Sequence, residues 1–93
     1  MTDLKIQNNQ DAGRFEVVVN GHLARLDYRL EPGTIYLPYV EVPEREQGRG
    51  IASSLTRAAL EFAQDKGLNV VPRCPFIAAY MRSHPEYLRV ERK

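Results

Sequence analysis

The stretch Val40 to Ala52 reads Val-Glu-Val-Pro-Glu-Arg-Glu-Gln-Gly-Arg-Gly-Ile-Ala, and the chain changes period within it. Before Pro43, Val40 and Val42 alternate as on a strand. After Gly50 the apolar residues fall at Ile51, Leu55, Ala58 and Phe62, the spacing of an amphipathic helix. Gly48 and Gly50 occupy the turn between the two. Glycines at a strand-to-helix turn let backbone N–H groups approach a ligand, and the free N–H groups of a helix's first turn carry partial positive charge suited to phosphate. The stretch therefore fits a diphosphate cradle, and on its own it fits equally well a glycine-bearing turn that caps a helix.

Three cradles have such glycines. A P-loop requires Gly-Lys-Ser or Gly-Lys-Thr, whereas Ile51 follows Gly50. A dinucleotide fingerprint wants a third small residue, which Ser53 could supply, and an acidic residue about twenty positions on, where Asn69 and Val70 stand. The third pattern, RxxGxG, is met by Arg45, Gly48 and Gly50, with Val-x-Val-Pro ahead of it and Ile-Ala behind. This resembles the acyl-CoA pyrophosphate loop of the GNAT superfamily of N-acetyltransferases.

Length and composition narrow the field. At 93 residues the expectation is one domain over 1–93, with a modest core and room for one site. Lys and Arg number 13 against 12 Asp and Glu, and neither sign forms a long run, so a nucleic-acid partner is not expected. Met1 to Asn9 has no apolar segment of signal-peptide length, and no stretch approaches the roughly 20 apolar residues of a membrane span. The expectation is a cytoplasmic protein with no membrane partner. A single cysteine, Cys74, with only His22 and His84 for company, gives no internal disulfide and no zinc set, and no metal is expected.

Outward from the loop, the chain reads as α/β (α+β): an antiparallel meander, then a βαβ unit and a short C-terminal helix. A short strand is expected at Leu4 to Gln7. Phe15, Val17 and Val19 then share one strand face, Asn20-Gly21 signals a hairpin, and Ala24, Leu26, Tyr28 and Leu30 alternate with Arg25, Asp27 and Arg29. Pro32-Gly33 turns the chain into a strand over Thr34 to Val42. Pro38 cannot donate to a ladder and marks a gap, bulge or free edge there. From Gly48 to Lys66 a helix carries Ile51, Ala52, Leu55, Ala58, Ala59, Phe62 and Ala63 on one stripe, leaving Leu60 on the polar side. Gly67 stops it. Leu68, Val70 and Val71 read as a buried strand parallel to Thr34 to Val42.

The last segment holds a second constellation: Pro72-Arg73-Cys74-Pro75-Phe76, then Tyr80, then His84-Pro85-Glu86-Tyr87. Pro75 suits the first position of a helix, which leaves Cys74 at its cap beside Arg73. Such a place can make a cysteine reactive, and a cysteine after a buried strand can equally be a small core residue. A small single-domain GNAT-like branch has a glycine loop of this kind, followed by Cys-Pro-Phe and an ending like His-Pro-Glu-Tyr. Both blocks stand here in that order, and the resemblance covers the chain from about Val17 onward.

The resemblance implies binding of acetyl-CoA (CoA) and acetyl transfer to an amine, such as a protein lysine or N-terminal amine, by a monomer or weak dimer. Gln47, Gly48, Arg49, Gly50, Ile51 and Ala52 would line the pyrophosphate, mostly through backbone N–H groups. Arg45 or Arg49 would add charge-assisted contacts. The strand ahead of the loop would splay from its parallel neighbour, so that backbone groups at Val40 and Val42 meet the pantetheine arm and an oxyanion. The resemblance also gives Cys74 a possible part in transfer. From the residues alone, Glu41 is a candidate base if it faces the cleft. Tyr80, about one and a half turns beyond Pro75, is a candidate acid for the leaving sulfur, its other reading being aromatic packing. His84 has a suitable imidazole but beside Pro85 reads as a turn cap. Many relatives place His-Thr where this chain has Tyr39-Val40, and a phenol is a poor base at neutral pH. The other class open to the chain is a non-catalytic module that binds acetyl-CoA, CoA or a partner.

Overall fold

The computed structural model of the protein describes residues 4–87. Four strands form the antiparallel meander: β1 (Gln7–Asn9), β2 (Arg14–Val19), β3 (His22–Glu31) and β4 (Thr34–Glu41). Helix α1 (Ile51–Lys66) crosses to β5 (Asn69–Pro72), and α2 (Pro75–Ser83) follows. The sheet order is β1-β2-β3-β4-β5, with β5 parallel to β4. Because α1 follows β4 and α2 follows β5, both helices begin at the same edge of the sheet.

Local sequence accounts for most of these elements. The β2–β3 hairpin closes at Asn20 (φ 54°) and Gly21 (φ 80°), the positive pair that a two-residue turn between twisted strands requires. Helix α1 ends at Gly67, whose amide bonds to Ala63 and Gln64 carbonyls, with Leu68 N–H reaching Ala63 O at 2.8 Å. That is a glycine C-cap satisfying otherwise orphaned carbonyls. The proline irregularity is a bulge. Arg29 pairs with Tyr36 and Asp27 with Tyr39, so Leu37 and Pro38 together oppose Tyr28. The extra residue inverts the alternation, moving the core-facing positions from Ile35 and Leu37 to Val40.

The core is one cluster between the sheet and the helices, including Leu26, Ile35, Leu37, Leu55, Leu60, Ile77 and Met81. Each such buried aliphatic contributes about 1.5–3 kcal/mol of transfer free energy. At the far side, Phe62 of α1 meets Phe15 edge-on with centroids 5.7 Å apart. The other sheet face carries charged and aromatic residues such as Arg25, Asp27, Tyr36 and Tyr39 in ion pairs and cation–π contacts.

Two expectations are corrected. The first strand is not Leu4 to Gln7 but Gln7–Asn9, because polar side chains hold it: Tyr28 Oη donates to Asn8 Oδ1 at 2.6 Å and Asn9 Nδ2 to Glu16 at 3.2 Å. Leu60 is not on an exposed flank but fully buried. It lies on the ridge Thr56, Leu60, Gln64, where Thr56 is also fully buried and Gln64 donates to the Glu86 carbonyl beyond α2. The buried arc of α1 is therefore wider than one stripe, since the segment carrying α2 covers its flank. Truncating Leu60→Ala is expected to cost about 2–5 kcal/mol of stability in urea denaturation. Leu30→Ala, at a side chain 48% exposed, is expected to cost within about 0.5 kcal/mol.

Candidate active site

The site begins where two strands part. β4 and β5 pair from Thr34↔Asn69 to Leu37↔Pro72. There the Leu37 carbonyl accepts the amides of both Arg73 (3.0 Å) and Cys74 (3.3 Å), and the chain turns into α2. β4 continues to Glu41 against β3, ending at Arg25↔Glu41. Its other side has no strand partner among the described residues beyond Leu37, so a V opens between β4 and the start of α2.

The glycine loop closes the wide end of the V. A 3-10 turn (Glu44–Glu46) leads through Gln47 to Gly48 (φ 83°) and Gly50 (φ 80°), both left-handed. A side chain at either position would be strained even though a Cβ there meets nothing within 4 Å. The loop is thus shaped by backbone conformation, with open space in front of it. The helix ladder starts when Ser54 N–H bonds to Gly50 O at 3.0 Å, which leaves the amides before it as the orphan donors of the first turn. A glycine cap has no side chain to satisfy them, and α1 has no acidic residue in its first turn. The positive end of the helix is left bare toward the opening.

That opening is a cleft of about 440 Å³ lined by Val40, Val42, Glu46, Gln47, Gly48, Gly50, Ile51, Ala52, Ser53 and Phe76, a volume suited to a small-molecule ligand. Its lining is mostly apolar, with the glycine loop and the first turn of α1 along one side. Gln47 Nε2 donates to the Val42 carbonyl at 3.0 Å, fixing the loop to the end of β4. Glu46, 3% exposed, accepts from Asn20 Nδ2 at 3.3 and 3.4 Å and lies 3.6 Å from Arg49 Nε.

The structure gathers Val40, Val42, Gln47, Gly48, Gly50, Ile51 and Ala52 into this wall. Arg45 and Arg49 are exposed outside it. Glu41 lies on the open sheet face, 3.3 Å from Arg25 Nη2, and Tyr39 on the same face accepts from Arg25 Nη2 at 2.5 Å. Cys74 caps α2 at the apex of the V but turns its side chain into the core, 8% exposed. Arg73 is no neighbour to that thiol: it turns to the other face, 5.5 Å from the Tyr36 ring, as successive extended residues do. Tyr80 stacks on His84 (3.9 Å) and lies 6.3 Å from Tyr87. His84 caps α2, its Nδ1–H donating to Tyr80 O at 2.8 Å.

Sequence reading missed three wall residues, Glu46, Ser53 and Phe76. Glu46 looks like one more surface charge until the hairpin tip 26 positions earlier folds onto it. Phe76, 42% exposed, sat within the Cys-Pro-Phe block, and its place one helical residue past Pro75 was the available signal.

Comparison with known proteins agrees with this geometry. Residues 14–90 match the family model described as GCN5-related N-acetyltransferase. Protein NATD1 of Danio rerio is 29% identical over 92 residues, covering 94% of this chain and 84% of that protein. Its Homo sapiens counterpart is 29% identical over 85 residues, covering 88% and 75%. The NMR solution structure of a GCN5-like protein from Staphylococcus aureus superposes with a TM-score of 0.73 at 24% identity, over 97% of this chain and 89% of the other, which supports the fold.

Tyr80 gives the site a pH signature. Burial raises its phenol above the ordinary value, opposed in part by Arg57. The folded state therefore holds that proton more tightly than the unfolded chain. Stability from the group is complete below the unfolded value and is lost as pH climbs through the raised one. Burial raises Tyr28 and Tyr87 in the same way, so ultraviolet titration is expected to show three tyrosines ionising above the ordinary value and two in Tyr80→Phe, with a smaller alkaline loss of stability in that variant.

Proposed function

The chain belongs to the GCN5-related N-acetyltransferase family as a small member, and from that premise we propose that it binds acetyl-CoA at the glycine loop and transfers the acetyl group to an amine. One observation supports the reading above the rest. The uncapped amides of α1, whose first turn carries no acid, border a cleft whose opposite wall is the unpaired side of β4. Such a pairing suits a ligand with anionic phosphates at one end and an amide-bearing arm at the other.

Bound acetyl-CoA supplies an acyl group activated as a thioester. Backbone N–H groups from Gln47 to Ala52 hold the diphosphate, and the free groups of Val40, with the N–H of Val42 just past β4, pair with the arm. As the acceptor nitrogen bonds to the carbonyl carbon, a β4 amide near Val42, fixed before reaction, stabilises the negative charge on oxygen. Glu41 lies on the open sheet face, paired to Arg25 and outside the cleft, so the amine gives its proton to water. When the C–S bond breaks, the sulfur needs a proton. Tyr80 is the first candidate to give it, and Cys74, whose thiol is turned into the core, the second. The acceptor is an exposed amine such as a protein lysine or N-terminus, met at an open sheet face.

A second reading is a module that holds acetyl-CoA or CoA without turnover. It is favoured by Tyr39, which faces Arg25 on the open side and offers the cleft no base. Thiol release measured with a panel of amines separates the two: steady release requires an enzyme, and binding without release requires the module.

In isothermal titration with CoA, Gly48→Glu is expected to bind at least tenfold more weakly, about 1.4 kcal/mol, because its carboxylate takes the diphosphate's place. Gly48→Ala is expected to lose less. Full affinity in Gly48→Glu refutes the cradle. Cys74→Ala is expected to keep CoA affinity within about twofold and to lower kcat less than Tyr80→Phe does. An unchanged kcat removes Cys74 from the chemistry.

A further inference from the structure

A carboxylate in the wall of an anion cleft requires explanation. Glu46 lines the cleft at 3% exposure, yet phosphate oxygens nearby would repel it. Two groups of opposite character hold it. The neutral amide of Asn20, at the β2–β3 tip, donates to both its oxygens at 3.3 and 3.4 Å. The Arg49 guanidinium, one turn along the loop, stands 3.6 Å from Oε1 with 57% of its side chain exposed. Arg49 does not line the cleft. For its side chain to grip a phosphate it would have to leave Glu46, stranding a buried negative charge with one amide for company just where two more negative groups arrive. Removing one partner of a buried pair is strongly unfavourable, and the incoming anion adds to that.

Resting on the acyl-CoA reading above, we propose that the Arg49 side chain is the counter-ion of Glu46 and not a phosphate ligand, and that Asn20 and Glu46 are positioning residues holding the 3-10 turn so that the amides after it face the cleft. The anion is gripped by backbone alone. Arg49 makes the site usable by cancelling the charge behind it, and Glu46 and Asn20 tie the loop to a hairpin 26 residues away.

The test is a double-mutant cycle in CoA affinity by titration calorimetry, on wild type, Arg49→Ala, Glu46→Gln and the two together. Glu46→Gln keeps an oxygen for Asn20 and removes the charge. Arg49→Ala is expected to weaken CoA at least tenfold, Glu46→Gln to stay within about threefold of wild type, and the double variant to match Glu46→Gln, so that the second change rescues the first. If Arg49 grips phosphate, the double variant stays as weak as Arg49→Ala, and the proposal is overturned. Wild-type affinity in Arg49→Ala overturns it equally. Wild type that fails to bind CoA sinks the acyl-CoA reading instead. The counter-ion role is then decided by thermal melting: Arg49→Ala should melt lower than wild type and recover in the double variant, and no recovery overturns it.

Discussion

The Leu37 carbonyl is the hinge of the architecture. It accepts from both Arg73 and Cys74, ending the parallel ladder and starting the second helix in the same step. Proline at the next position has no N–H to offer, and the bulge it sits in turns Val40 inward. A sheet that kept its ladder for four more residues would gain hydrogen bonds and lose the V. The unpaired side of β4 thus follows from the early departure of β5, while Pro38, whose missing N–H faces β3, sets the bulge.

The loop at the other end of the V follows a matching logic. Most helices begin with Ser, Thr, Asp or Asn, which satisfy the first-turn donors at a gain of about 1 kcal/mol. α1 begins with glycine and carries no acid in its first turn. Stability is given up where the ladder stops and again where the helix starts, and the two places share one cleft. The core offsets this with fully buried Leu26, Ile35, Leu37, Leu55, Leu60 and Ile77, assembled away from both.

What the sequence revealed, and what it hid, divides along contact distance. Alternation over Phe15 to Leu30, Asn20-Gly21, the bulge at Pro38 and the helix from Ile51 are local signals, and each appears in the structure near where the residues put it. RxxGxG located the loop because its glycines obey local conformational rules. Leu60 was misread because a helical wheel assumes one covered face, and here a second element covers the flank. Glu46 was invisible because its meaning depends on Asn20, and Arg73 was misassigned because adjacent residues of an extended chain take opposite faces. Tyr80 lies on the helix where spacing put it, but its stacking on His84 is a tertiary fact.

These observations bear on how a chain this small can sustain a site at all. With about two thirds of its unfolded surface buried, it has little stability to spare, yet it maintains orphan amides, a strand with one open side and a buried carboxylate along one cleft. The last of these is held by a hydrogen bond from Asn20 and by the charge of Arg49, and tying it to the hairpin tip makes it part of the scaffold. The others are groups a ligand can satisfy, so ligand binding stabilises the folded state by mass action. The same unpaired donors that lower the stability of the free protein are then the source of affinity, and the fold concentrates its unmet hydrogen-bonding capacity where the family's chemistry can use it.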